Sequence, residues 1–123
     1  MGISFKWDNG VLRYVAEGQW NWNDYHKAVR IAFFSLNNVD HPVDVILDLS
    51  QSIKTPSGAV AHLRTVGKPD HPKLTGRGII INLDRDTRRK LAGNDENKFE
   101  MGDQIIYFVD DEAQAQALLA EFD

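Results

Sequence analysis

The sequence contains no cysteine. That excludes disulfides, thiolate nucleophiles and cysteine-ligated zinc. Histidine is sparse: His26, His41, His62 and His71 are dispersed, and no two are spaced i, i+4. The helical HExxH signature is therefore missing, and no metal is expected. Apolar runs are short, and none approaches the length of a membrane-spanning helix. An excess of positive charge is also lacking. The net charge is −4, whereas sequence-independent nucleic-acid binding needs a basic face. Lys6, Asp8 and Asn9 arrive too early for the apolar core of a secretory signal. These absences lead us to expect a cytoplasmic protein with no membrane span and no nucleic-acid partner. Cofactor motifs are missing too. Gly67-Lys68 is followed by proline where a Walker loop needs Ser or Thr, and Gly76-Arg77-Gly78 precedes an apolar run, the reverse of the dinucleotide fingerprint.

What remains is ordinary globular material. Hydrophobic residues make up 42% and charged residues 26%, and 123 residues suit one domain, 1–123, with a real core. Ile3, Phe5 and Trp7 alternate with Ser4 and Lys6, the period of a half-buried strand. Asp8-Asn9-Gly10 is a hairpin turn signal, because Asn-Gly tolerates positive φ. A second strand then returns over 11–17.

Asn21 can cap a helix, with Asp24 three residues on as a capping box, and Trp20 and Tyr25 stand at the positions of a hydrophobic staple. Trp22, Tyr25, Val29, Ala32, Phe33 and Leu36 recur at helical spacing until Asn37-Asn38. Trp20, Trp22 and Tyr25 could stack a ligand, but staple and helical spacing already account for them as packing.

The stretch that organises the chain follows. Val43, Val45, Ile46 and Leu47 predict a buried strand over 43–47, ended by Asp48. A loop with Ser50, Ser52, Thr55 and Ser57 comes next. Thr55 can cap a helix over 56–66, with Pro56 at its first position and Gly58 close behind. Further on, 78–83 and 104–109 predict buried strands, and 86–92 a short helix ended by Gly93-Asn94. Asp110 or Asp111 caps a last helix with Ala115, Leu118, Leu119 and Phe122 on one face. The expected order is ββαβαβαβα, an α/β fold on a mixed sheet with right-handed crossovers.

Two polar clusters invite a functional reading. The hydroxyls of 50–57 could form a partner or anion site beside Asp48 and Gly58, or merely cap the helix and satisfy loop backbone. Arg85, Arg88, Arg89 and Lys90 could bind an anion, although Asp84, Asp86, Asp95 and Glu96 cancel much of their field. Ser57 and His62 fall on different faces of one helix, so a Ser-His-Asp site with Asp48 would need a chance convergence. No catalytic apparatus is evident.

The run Val45-Ile46-Leu47-Asp48-Leu49-Ser50, a polar spacer, and Ser57-Gly58 resemble the STAS family, named for sulfate transporters and anti-sigma-factor antagonists. Phe108-Val109-Asp110-Asp111-Glu112-Ala113 through Leu118-Leu119 is similar to that family's last strand and helix. The resemblance implies a STAS-like fold and a non-enzymatic, partner-binding role. Its partner would be a regulatory kinase or an anti-sigma-like protein, and a homodimer stays open. Family antagonists carry Asp-Ser-Ser-Gly with the first serine phosphorylated. Thr55-Pro56-Ser57-Gly58 stands there in this chain, so a switch would use Ser57, Thr55, Ser52 or Ser50, with Ser57 first because it keeps the serine-glycine pair. Contact is expected at Asp48, Ser50, Ser52, Thr55, Ser57 and Gly58. The alternative is a carrier of a small or lipid-like molecule, held between helices and sheet as in the SEC14-related proteins that share this layout.

Overall fold

The computed structural model describes residues 2–93 and 97–122. Its strands form one six-stranded mixed sheet in the order β1-β2-β3-β4-β6-β5. β1 (Gly2–Asp8) and β2 (Val11–Gly18) are an antiparallel hairpin. Asn9 and Gly10 make the turn with φ of 53° and 82°, the conformation that Asn-Gly was expected to supply. β2, β3 (Val43–Ser52), β4 (Leu74–Ile81) and β6 (Gln104–Val109) run parallel, and β5 (Lys98–Met101) closes the far edge antiparallel to β6.

Among the described residues four helices cover this sheet. α1 (Trp22–Leu36), α2 (Ala59–Leu63) and α3 (Arg85–Ala92) send Tyr25, Ala32, Leu36, Leu63 and Leu91 into one core with Leu12, Tyr14, Val45, Leu47, Leu49 and Ile80. α4 (Glu112–Glu121) covers the opposite face, where Ala115 meets Ile46, Ile79, Ile81 and Val109. The period of two along β3 divides its side chains between these cores: Val45, Leu47 and Leu49 face one, Ile46 the other.

Local chemistry sets the element ends. Asn21 accepts a hydrogen bond from the Asp24 amide and Asp24 accepts one from the Asn21 amide, so the capping box at α1 is complete. Asp84 caps α3 by accepting from the Thr87 amide, and Gly93 at φ 67° ends it. Asp111 caps α4 through the Gln114 amide.

Several expectations need correction. β3 does not stop at Asp48 but continues to Ser52, because Leu49 still faces the core and Gln51 and Ser52 still pair with Glu17 and Gly18 of β2. β4 spans Leu74–Ile81 where 78–83 was expected. α2 is five residues long, and its cap is Gly58 at φ 82°, with no side-chain hydrogen bond from Thr55. β5 was not anticipated, so the order is ββαβαβαββα. Asn94, expected in the end of α3, and Asp95 and Glu96, expected near the basic cluster, lie outside the described residues.

Gly76-Arg77-Gly78 is explained by packing. Gly76 has φ of 90°, and a Cβ there would run into the carbonyl of Asp103 in the β5–β6 turn. At Gly78 a Cβ would come within 3.1–3.4 Å of Val66, where the segment after α2 crosses β4. Gly76 needs glycine for its backbone conformation and close approach, and at Gly78 any side chain would press on Val66.

Candidate functional site

The carboxyl ends of β3 and β4 open into a groove of about 1000 Å³ between α2 and α3. Leu49 and Leu83 are its buried apolar residues. The chain from Ser52 through Ala61, with Arg64, makes one wall, and Asn82, Asp84, Thr87 and Lys90 make the other. Carboxyl strand ends are where open α/β sheets gather loops that can take ligands.

The expected site residues divide between two places. Ser52, Thr55, Ser57 and Gly58 line the groove. Asp48 and Ser50 do not: Asp48 points to the α4 side, where its Oδ1 accepts from the amide (2.9 Å) and hydroxyl (2.6 Å) of Ser50. Its Oδ2 accepts from Arg13 Nη1 at 3.2 Å. The strand period sends Asp48 and Leu49 to opposite faces, and the register shift against β2 between Asp48 and Gln51 returns Ser52 to the groove side.

Two indoles hold the groove's loop from beneath. Trp20 Nε1 donates to Ser52 Oγ at 2.7 Å, and Trp22 Nε1 donates to the Ser57 carbonyl at 2.8 Å. Trp22 stands edge-on to both Trp20 and Tyr25 and stacks on His62, with ring centroids 4.7 Å apart and planes 10° from parallel. The tryptophans are therefore packing residues, as their spacing suggested, but they also fix the loop.

His26 and His62 are the pair that sequence reading missed. They are 36 residues apart, yet His26 Nε2 lies 2.8 Å from His62 Nδ1, one ring donating to the other. The only sequence signal was that His26 follows Trp22 by four residues, on the same helix face. A bond between two imidazoles needs one lone pair, so a doubly charged pair loses it. Burial, then the charges of His62 and Arg30, hold His26 below the ordinary histidine range. The sign follows. Below the unfolded value of about 6.5 the unfolded chain takes up protons that folded His26 refuses. This contribution is complete above that pH and is lost as pH falls toward the folded value. The urea midpoint should drop between about pH 7.5 and about pH 5.5, and His26→Gln should flatten the drop. Equal pH slopes in wild type and variant would reject this.

The basic cluster separates. Arg88 donates to the carbonyls of Leu83 and Val109 and pairs with Asp110 at 2.9 Å, so it ties α3 to the ends of β4 and β6. Arg85 and Arg89 are also engaged. Lys90 alone of the four lines the groove.

On the opposite face, Arg13 of β2 is 4% exposed and reaches three carboxylates. It meets Glu112 through two bonds of 2.9 and 2.6 Å, Asp48 at 3.2 Å and Asp8 at 3.4 Å. One guanidinium thus joins the β1 end, β3 and the start of α4.

No family model, curated protein or solved structure matches the chain. Among the described residues no group of three or more His, Asp or Glu side chains is placed to hold a metal ion, and no helix is long and apolar enough to cross a membrane.

Proposed function

We propose that the chain is a non-enzymatic, cytoplasmic domain of STAS-like fold that docks a partner protein at the groove between α2 and α3. The observation that carries this reading is the groove itself: open to solvent, walled by hydroxyls, and fixed from below by Trp20 and Trp22. The STAS-like assignment draws support from a leading hairpin followed by parallel strands with helical crossovers, and from Ser57-Gly58 immediately before α2. A carrier would keep its ligand between helices and sheet. Beneath α1 the space lined by Tyr14, Tyr25, Phe33, Leu36 and Val45 is about 180 Å³, below the roughly 300 Å³ at which ligand pockets begin, whereas the clefts beside α4 and between α1 and β1 are about 570 and 360 Å³.

Ser57 is the hydroxyl suited to a switch. It is exposed on the groove wall, and Trp22 holds its carbonyl and not its hydroxyl. A phosphate there would add roughly −1.5 to −2 charges at the contact without touching the core. Ser57→Asp should therefore leave the thermal midpoint within a few degrees, a change below about 1 kcal/mol, yet release a partner retained by wild type. Affinity capture from host lysate, with both proteins side by side, tests this. The same retained proteins in both arms, or none in either, would end the reading.

A further inference from the structure

We infer that the groove takes an acidic segment of its partner, one carrying an apolar side chain between carboxylates; this rests on the docking reading above. The argument begins with charge. The chain as a whole is acidic, at −4, but the groove is not. Lys54, Arg64 and Lys90 line it against a single carboxylate, Asp84. Asp84 is already committed: its oxygens accept from the amide and hydroxyl of Thr87 at 2.8–3.0 Å, which caps α3. Among the described residues neither Lys54 nor Lys90 has a carboxylate partner. Among the described residues the Arg64 side chain has no carboxylate partner either, and its guanidinium lies 6.0 Å from the ring of Phe99. A net positive groove on a negative protein is a local field that favours an anionic occupant and disfavours a second copy of this chain.

The placement of the cations selects a segment over a single anion. Lys54 precedes α2, Arg64 follows it, and Lys90 stands on α3. Cations at three separate positions along the groove match carboxylates spaced along a chain better than one phosphate, which needs its donors to converge. The apolar requirement comes from Leu49, Leu83 and Val60 on the walls and from Ile53, which is 74% exposed at the lip. Such a residue is a docking contact waiting for an apolar anchor. The inference also gives the Ser57 switch its mechanism: a phosphate in this groove would compete with the partner's carboxylates for the same three cations.

The test titrates the isotopically labelled full chain with synthetic probes, read by amide chemical shifts. One peptide carries a single leucine flanked by glutamates, its control has lysines in their place, and a third probe is dodecyl phosphate. The glutamate peptide should shift amides of 53–64 and 82–90, with an affinity that falls as salt rises. The lysine peptide should not bind. Lys54→Glu with Lys90→Glu should weaken the glutamate peptide by about tenfold or more and admit the lysine peptide. Binding of both peptides alike, shifts outside the groove, or binding of dodecyl phosphate alone would overturn the inference. Ala61→Trp, an exposed position on the groove wall, separates the two readings. If it abolishes capture of the native partner while the charge-reversed protein retains it, the groove is a docking site and the acidic class is wrong. If neither variant affects capture, the docking reading itself is wrong.

Discussion

Arg13→Ala should lower stability by about 3–5 kcal/mol, the range for removing one partner of a buried ion pair. The lower end is expected. Glu112 and Asp8 are 52% and 40% exposed and can turn to water, whereas Asp48, at 14%, cannot. After the change Asp48 keeps only the hydrogen bonds from Ser50 on its other oxygen. The neighbouring carboxylates of Asp8 and Glu112 then add repulsion where there was attraction. Urea unfolding checks this: an Arg13→Ala free energy within about 1 kcal/mol of wild type would refute it. Glu112→Gln is the control and should cost about 1 kcal/mol or less, since an exposed partner contributes little. The linkage has a defined sign. The hydrogen bond from Arg13 holds the Glu112 carboxyl below the usual carboxylate range. Its contribution is therefore complete above the unfolded value of about 4.3 and is lost as pH falls through the folded value. Arg13→Ala should remove that part of the acid sensitivity.

Arg13 also marks where sequence reading stops. It sits between Leu12 and Tyr14 on a strand of alternating pattern, and alternation gives such a residue to the polar face. Only α4, arriving from ninety-nine positions away, turns that face into a core. The caps of α1 and α4 and the hairpin were legible because each is decided by neighbours within a few residues, as with Asn9-Gly10 or Asn21 and Asp24. The end of β3 was not. Asp48, Ser50 and Ser52 look like a loop when counted by polarity, and become a strand once Leu49 is seen to keep the core period. α2 was overextended because Thr55-Pro56-Ser57-Gly58 imitates a helix start, while the chain waits until Gly58 supplies a left-handed turn. β5 was hidden because Lys98-Phe99-Glu100-Met101 buries only Phe99. The groove was half legible. Its hydroxyls were visible as a cluster, but the opposite wall at Asn82, Thr87 and Lys90 depends on α3 packing beside α2.

Trp22→Ala should be the costliest aromatic change, at about 3–5 kcal/mol for truncating a buried aromatic. Trp22 is 9% exposed and touches Trp20, Tyr25 and His62 with its ring while its N–H holds the Ser57 carbonyl. The loss therefore combines a cavity beneath α1 with a carbonyl freed at the groove. Trp22→Phe separates the two parts. It keeps most of the apolar volume and removes the donor, so stability should fall by only about 1–2 kcal/mol. The loop, however, loses one of its two indole tethers, and amide shifts should change chiefly over 55–62 and at His26. The indole N–H signals give a direct check in the wild type. Those of Trp20 and Trp22, bonded to Ser52 and Ser57, should exchange slowly with solvent, while Trp7, 37% exposed on an edge strand, should exchange fast. If Trp22→Phe leaves the 55–62 amides in place, the loop does not depend on the Trp22 tether. The tryptophan would then belong to the core and not to the groove.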